Sequence, residues 1–307
     1  MLAPVVLFVY NRLEHTKETI ATLAKNELAK ESELYVFSDA AKNENAKVKV
    51  DAVRAFVREE EWKKSFKKVT VIEASENKGL AKSIIGGVTE LINEYGKVIV
   101  IEDDLILSPF FLNYMNGALD FYENDPEIWS ISGYSFPMKS LKKYPHDVFY
   151  SYRGSSWGWA TWADRWAMND WNVSDYDKFV KDEQWQKRFN RGGGDLTGML
   201  ALQMAGKIDS WAVRWCFEES NRNMYTIYPK YSYLGNEGLD GSGTNCGGGG
   251  LYASHLYLQP LLITPISPIE ENKEARQAFI RYYARTNSFW AKAIRRIKRT
   301  LKGDFGA

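Results

Sequence analysis

Only Cys216 and Cys246 occur in the 307 residues, and their spacing suits neither a disulfide framework nor a paired-cysteine metal site. A reducing cytoplasm is the expected compartment. Histidine is equally scarce: His15, His146 and His255 are widely scattered and carry no ligand pattern. Charge of one sign is not in excess, since a formal net charge of +1 leaves no bulk electrostatic case for nucleic acid as a partner. No apolar run reaches the roughly 18 residues of a membrane span. The apolar start from Leu2 to Val9 lacks a basic leader and a small-residue cleavage site, and it ends at Asn11-Arg12, so it reads as a first strand. The glycine-rich stretches lack the spacing of Walker or dinucleotide loops.

What is abundant is order of another kind. Four β-branched residues, Val98-Ile99-Val100-Ile101, predict a strand buried on both faces, and three carboxylates, Glu102-Asp103-Asp104, follow at once. Ligands of open α/β sheets gather where strands end at their carboxyl side, and hard oxygen donors suit Mg²⁺ or Mn²⁺ held together with substrate phosphates. The competing reading is a solvated acidic turn ahead of a helix opened by Ser108-Pro109.

Alternation of strands and helices surrounds this run. Strands are expected over 4–10, 34–37, 69–72 and 128–132, with extended chain over 226–233. Helices are expected over 16–30, through Val48 to Trp62, over 80–95, from Pro109 to Tyr122, and over 176–190 and 196–205. This pattern implies a parallel sheet with helices on both faces. The segment 235–250 is glycine-rich and too long for a simple turn, as functional lids often are. Eleven Trp is a heavy load, concentrated between Trp157 and Trp215. Trp157, Trp159 and Trp162 alternate like one face of a strand, which serves a packed core or a sugar platform equally well.

Taken in order, the Glu102-Asp103-Asp104 run, the Asp125–Gly133 segment, Trp157-Gly158-Trp159 and Asp209-Ser210-Trp211 resemble the GT-A fold nucleotide-sugar glycosyltransferases, more narrowly family-2-like bacterial sugar transferases related to the N-acetylglucosaminyltransferase I group. The likeness spans residues 3 to 265. It implies a Rossmann-like mixed central sheet, residues 1–107 forming a nucleotide-sugar half, 108–265 an acceptor and catalytic half, and 266–307 a basic helical tail. Asp104 would hold Mn²⁺ or Mg²⁺ against the donor diphosphate, with Glu102 and Asp103 on the donor's sugar and ribose. Arg12 would lie near the nucleotide, Asp39 would read its base, and Asn77 and Gly79 would form the donor-site turn. Asp209 would deprotonate the acceptor hydroxyl, and Trp157, Trp159 and Trp211 would contact the acceptor. Gly241, Ser242 and Gly243 would belong to a closing loop, although this chain carries Asn245 where relatives often have His.

The implied activity is metal-dependent, inverting transfer from a nucleotide sugar to a saccharide or lipid-linked saccharide in polysaccharide synthesis. A nucleotidyltransferase and a non-catalytic carbohydrate-binding protein are the rival readings. From pattern alone, Arg12 could be structural, Asp39 could cap a turn, and Asp209-Ser210 could cap a helix. In the tail, Phe279, Tyr283, Trp290, Ile294, Ile297 and Leu301 share a helical face flanked by basic residues. Such a helix lies on an anionic membrane surface or docks on its own domain.

Overall fold

The computed structural model describes residues 1–138, 141, 144–237, 256–260 and 269–287. Strands β1 (Val5–Val9), β2 (Glu33–Ser38), β3 (Lys68–Glu73) and β4 (Lys97–Glu102) pair in parallel in the order β3-β2-β1-β4. Beyond β4 the sheet changes character. β8 (Trp159–Trp162) runs antiparallel between β4 and β6 (Ile128–Ser132), then β9 (Tyr225–Pro229) joins β6 in parallel and β7 (Val148–Ser151) closes the edge antiparallel. The eight-stranded sheet is therefore mixed, as the resemblance implies, rather than parallel throughout. It also runs unbroken through both proposed halves, with β3-β2-β1-β4 drawn from residues before 107 and β8-β6-β9-β7 from residues after it.

Alternating side chains send Val5, Leu7 and Val9 to one core and Val6 and Phe8 to the other. Helices α1 (Leu13–Ala24), α2 (Glu44–Arg58) and α5 (Phe111–Phe121) cover the first face; α4 (Leu80–Tyr95), α6 (Ala163–Ala167) and α10 (Trp211–Asn221) cover the second. The short α3 (Glu60–Lys63) follows α2. The expected helix over 16–30 ends earlier because Asn26 turns its side chain to other work, accepting from Leu112 N at 2.9 Å. Likewise the expected helix over 176–190 is two, α7 (Tyr176–Phe179) and α8 (Glu183–Phe189), because Asp182 caps α8 by accepting from Gln184 N and Trp185 N. With α9 (Leu196–Met204) these form a satellite core around Phe217.

Two three-residue strands escaped the sequence reading. β5 (Leu105–Leu107) pairs antiparallel with β10 (Leu234–Asn236), so the glycine-rich segment begins as sheet. Its remainder from 238 to 250, including Gly241, Ser242, Gly243 and Asn245, lies outside the described residues.

The tail divides. α11 (Lys273–Asn287) docks on the domain: Phe279 is 1% exposed and meets Phe136, Phe149 and Tyr228 edge-on at centroid distances of 5.0, 6.0 and 5.1 Å. Its beginning is thus part of the core, because an aromatic face finds an apolar pocket beside β7 and β9. Trp290, Ile294, Ile297 and Leu301 lie outside the described residues.

Candidate active site

The acidic run is the tight turn between β4 and β5, and it is not solvated. Asp103 is 4% exposed and Asp104 6%, because Leu105 N donates to Thr19 Oγ1 of α1 at 3.1 Å and Glu237 N donates to Asp104 O at 2.9 Å, pulling the turn inward. Arg12, where β1 hands over to α1, bridges both carboxylates. Its Nη2 pairs with Asp103 Oδ1, and its Nη1 lies 3.1 Å from Asp104 Oδ2. Tyr10 N adds a 3.3 Å bond to Asp103 Oδ2. Strand order reverses between β1 and β4, so the cluster occupies the crevice where open α/β sheets bind ligands.

Electrostatically the run is undercompensated. Burial pushes the Asp103 carboxyl up while Arg12 pulls it down, and the upward effect prevails. Burial also opposes the charge on Arg12, yet Asp103 and Asp104 more than offset it and raise the guanidinium pKa. Glu102, half-buried and facing a cavity of about 410 Å³, is pushed up to about 8 by burial and then by the charges of Asp104 and Asp103. Three carboxylates thus face a single guanidinium.

That donor set fits a hard divalent cation. Among the described residues, Asp104 Oδ1 has only a long 3.5 Å contact, from Asn236 Nδ2. Among the described residues no group of three or more His, Cys, Asp and Glu is placed to hold a metal ion by itself.

Asp39, at the end of β2, does something the sequence left ambiguous. Its Oδ1 accepts from Ala40 N and Lys78 N, both at 2.9 Å; its Oδ2 accepts from Gly79 N at 2.9 Å and Asn77 Nδ2 at 3.0 Å. The carboxylate therefore holds the 77–79 turn. Gly79 leaves that turn at φ +75°, which L side chains rarely adopt, and serves as N-cap of α4 without a capping side chain. Asp209 supplies one from 128 residues away: its Oδ2 accepts from Ala81 N at 3.3 Å. Ser210, not Asp209, caps α10 by accepting from Val213 N at 3.3 Å. Asp39, Asn77, Gly79 and Asp209 are so brought together beside the acidic run's cavity, whose wall includes Leu80 and Ser210.

The tryptophans separate. Trp157 is half-exposed and lines the cavity with Ser155 and Ser156. Trp159 is 0% exposed and stacks on Trp211 at 4.8 Å and on Trp166 at 5.8 Å, so its expected contact with an acceptor is corrected to a core role. Trp162 points to the opposite core, because in β8 its side chain alternates against that of Trp159. Trp211 is buried but edges the cavity wall.

Two buried groups carried no sequence signal. Arg153 lines the cavity, makes a bidentate pair with Asp195 at 2.9 and 3.0 Å, and stacks 3.5 Å from the Tyr283 ring centroid of α11. Glu219 sits behind Gly154 at 0% exposure, accepting from Thr226 Oγ1 at 2.7 Å, and among the described residues its Oε2 has no hydrogen-bond partner; burial pushes it up to about 8.

No protein-family model matches the chain, and no curated protein does. Solved structures do show similarity. S. aureus TarS is 17% identical, with 43% of this chain and 21% of that chain covered at TM-score 0.31. S. aureus TarS 1-349 is 12% identical, with 76% and 60% covered at TM-score 0.43. The mannosyltransferase PcManGT from Pyrobaculum calidifontis, in complex with GDP-Man and Mn²⁺, is 12% identical, with 72% and 73% covered at TM-score 0.41. The chain spans about a fifth of the first TarS chain, 21%, and 60% of the second. A functional reading must therefore rest on the chemistry of the site itself.

Proposed function

We propose that this chain is a metal-assisted, inverting glycosyltransferase of GT-A type that moves a sugar from a nucleotide sugar to a saccharide or lipid-linked saccharide acceptor. The observation that carries this reading is the buried Arg12–Asp103–Asp104 cluster at the sheet's reversal point, opening through Glu102 into a cavity of about 410 Å³. That volume falls within the range of small-molecule sites.

Asp104 is the residue that would hold Mn²⁺ or Mg²⁺. When bound, the ion supplies Lewis-acid stabilisation of a leaving diphosphate. Arg12 bridges Asp103 and Asp104 and orients both carboxylates in the turn. The Asp39-organised turn presents Asn77 and Gly79 to the donor, and Glu102 and Asp103 contact its sugar and ribose. Asp209 is exposed, and its neighbours Ile208 and Ser210 line the cavity, so it is the base for the acceptor hydroxyl. One base suffices, because inversion takes a single displacement.

The test is a panel of nucleotide sugars incubated with Mn²⁺, scored for hydrolysis and for thermal stabilisation. At least one should be hydrolysed, and a nucleoside diphosphate should raise the melting temperature only with the metal present. Asp104→Asn should remove both signals while retaining the fold. Stabilisation that is indifferent to chelator would refute the metal's place in this reading.

A further inference from the structure

Helix α9 has an unusual surface. Its sequence Leu-Thr-Gly-Met-Leu-Ala-Leu-Gln-Met buries Leu196 and Leu200 as a core helix should, yet Leu202 remains 48% exposed and Met204 36%. A helix apolar on all sides belongs in an interior, and a lone exposed leucine needs no explanation. What calls for one here is contiguity. Leu202 and the half-buried Met199 line the same cavity as Glu102, and Leu80, 37% exposed at the start of α4, and Ile208 line it too. These four apolar side chains come from three separate segments and line one cavity.

The same lining also carries polar chemistry. Ser155 and Ser156 offer hydroxyl groups alongside the half-buried Trp157, a combination suited to a sugar's hydroxyls and its apolar face. The one cationic side chain among the described lining residues, Arg153, is already engaged by Asp195 through two hydrogen bonds and by the Tyr283 ring. Among the described residues the wall thus presents no uncommitted positive charge to a uronate or phosphate.

We propose that this cavity takes an amphiphilic glycoside: an uncharged sugar ring seated between Ser155, Ser156 and Trp157, with an aliphatic aglycone lying along Leu80, Met199, Leu202 and Ile208. Resting on the glycosyltransferase reading, this makes the acceptor a lipid-linked rather than a free saccharide.

The experiment uses the full chain without donor or metal, so its outcome is independent of nucleotide-sugar turnover. Methyl and octyl β-glycosides of glucose, galactose, mannose and N-acetylglucosamine are titrated below their micelle concentrations by calorimetry, with octyl sulfobetaine as a detergent lacking a sugar. For at least one sugar the octyl glycoside should bind about tenfold more tightly than its methyl partner, the gain expected when some two methylenes leave water. Leu202→Glu should bring the octyl affinity down to the methyl level with the melting temperature retained. Val48→Glu, at a 77% exposed site on α2, should leave the octyl gain unchanged. The proposal is overturned by equal methyl and octyl affinities for all four sugars, by a gain that survives in Leu202→Glu, or by sulfobetaine binding as tightly as the glycosides. Hydrolysis of no nucleotide sugar would defeat the transferase reading while leaving this binding result standing.

Discussion

Removing the guanidinium that bridges Asp103 and Asp104 is the sharpest perturbation of this fold. In Arg12→Met the aliphatic stem is approximately retained and the charge is lost, so two carboxylates whose side chains are 5% and 8% exposed remain side by side with no cation between them. Breaking a buried pair by deleting one partner costs about 3–5 kcal/mol, because the surviving charge stays buried and uncompensated. Arg12 is itself 19% exposed, so some water reaches the pair and the lower end, about 3 kcal/mol, is expected. Urea unfolding at pH 8 without divalent cations measures this loss. Adding Asp103→Asn to Arg12→Met removes one of the stranded charges, and the double variant should recover about 2 kcal/mol of it. A loss below about 1 kcal/mol in Arg12→Met, or no recovery in the double variant, would refute the argument that Arg12 is the electrostatic keystone of the acidic turn.

Three further outcomes follow from the same structure. Phe279→Ala should destabilise the whole domain by about 3–5 kcal/mol in urea, the cost of emptying a buried aromatic site; a loss under 1 kcal/mol would mean α11 is a detachable appendage. Glu219 holds its proton more tightly folded than unfolded, with a folded pKa of about 8 against an ordinary 4.5, so its contribution is present at acid pH and is lost as pH rises from about 4.5 to 8. Glu219→Gln should flatten that part of the stability profile, and identical slopes for variant and parent between pH 5 and 8.5 would exclude the effect. Gly79→Ala forces a side chain into φ +75° at the start of α4 and should cost about 1–3 kcal/mol, read as a lower urea midpoint; an unchanged midpoint would show that the turn relaxes freely.

Much of the architecture was legible along the chain. Val98 to Ile101 announce β4 because a strand buried on both faces leaves a continuous β-branched run, and the three carboxylates after it could only emerge at the carboxyl end of the sheet. The same holds for α4, whose apolar positions Ile84, Val88 and Leu91 keep helical spacing. Periodicity, however, reports which face of an element is apolar and not which partner will cover it. For that reason the destiny of Trp159 was open until β8 was seen wedged antiparallel between β4 and β6, with α10 laid over it. α11 is the same case: an aromatic face reads alike for a membrane surface and for the pocket of Phe136, Phe149 and Tyr228. Three-residue strands such as β5 and β10 are too short to show a period at all, although their pairing helps to bury the acidic turn.

The sequence by itself therefore determined the alternating α/β frame and the place of Glu102, Asp103 and Asp104 within it, since both follow from local burial patterns. Only the tertiary structure decided that Arg12 closes on the two aspartates, that Asp39 holds a turn nearly forty positions away, and that Leu80, Met199, Leu202 and Ile208 meet around one cavity. Those are juxtapositions of distant segments, and they arise when whole surfaces pack, a step that no local pattern encodes.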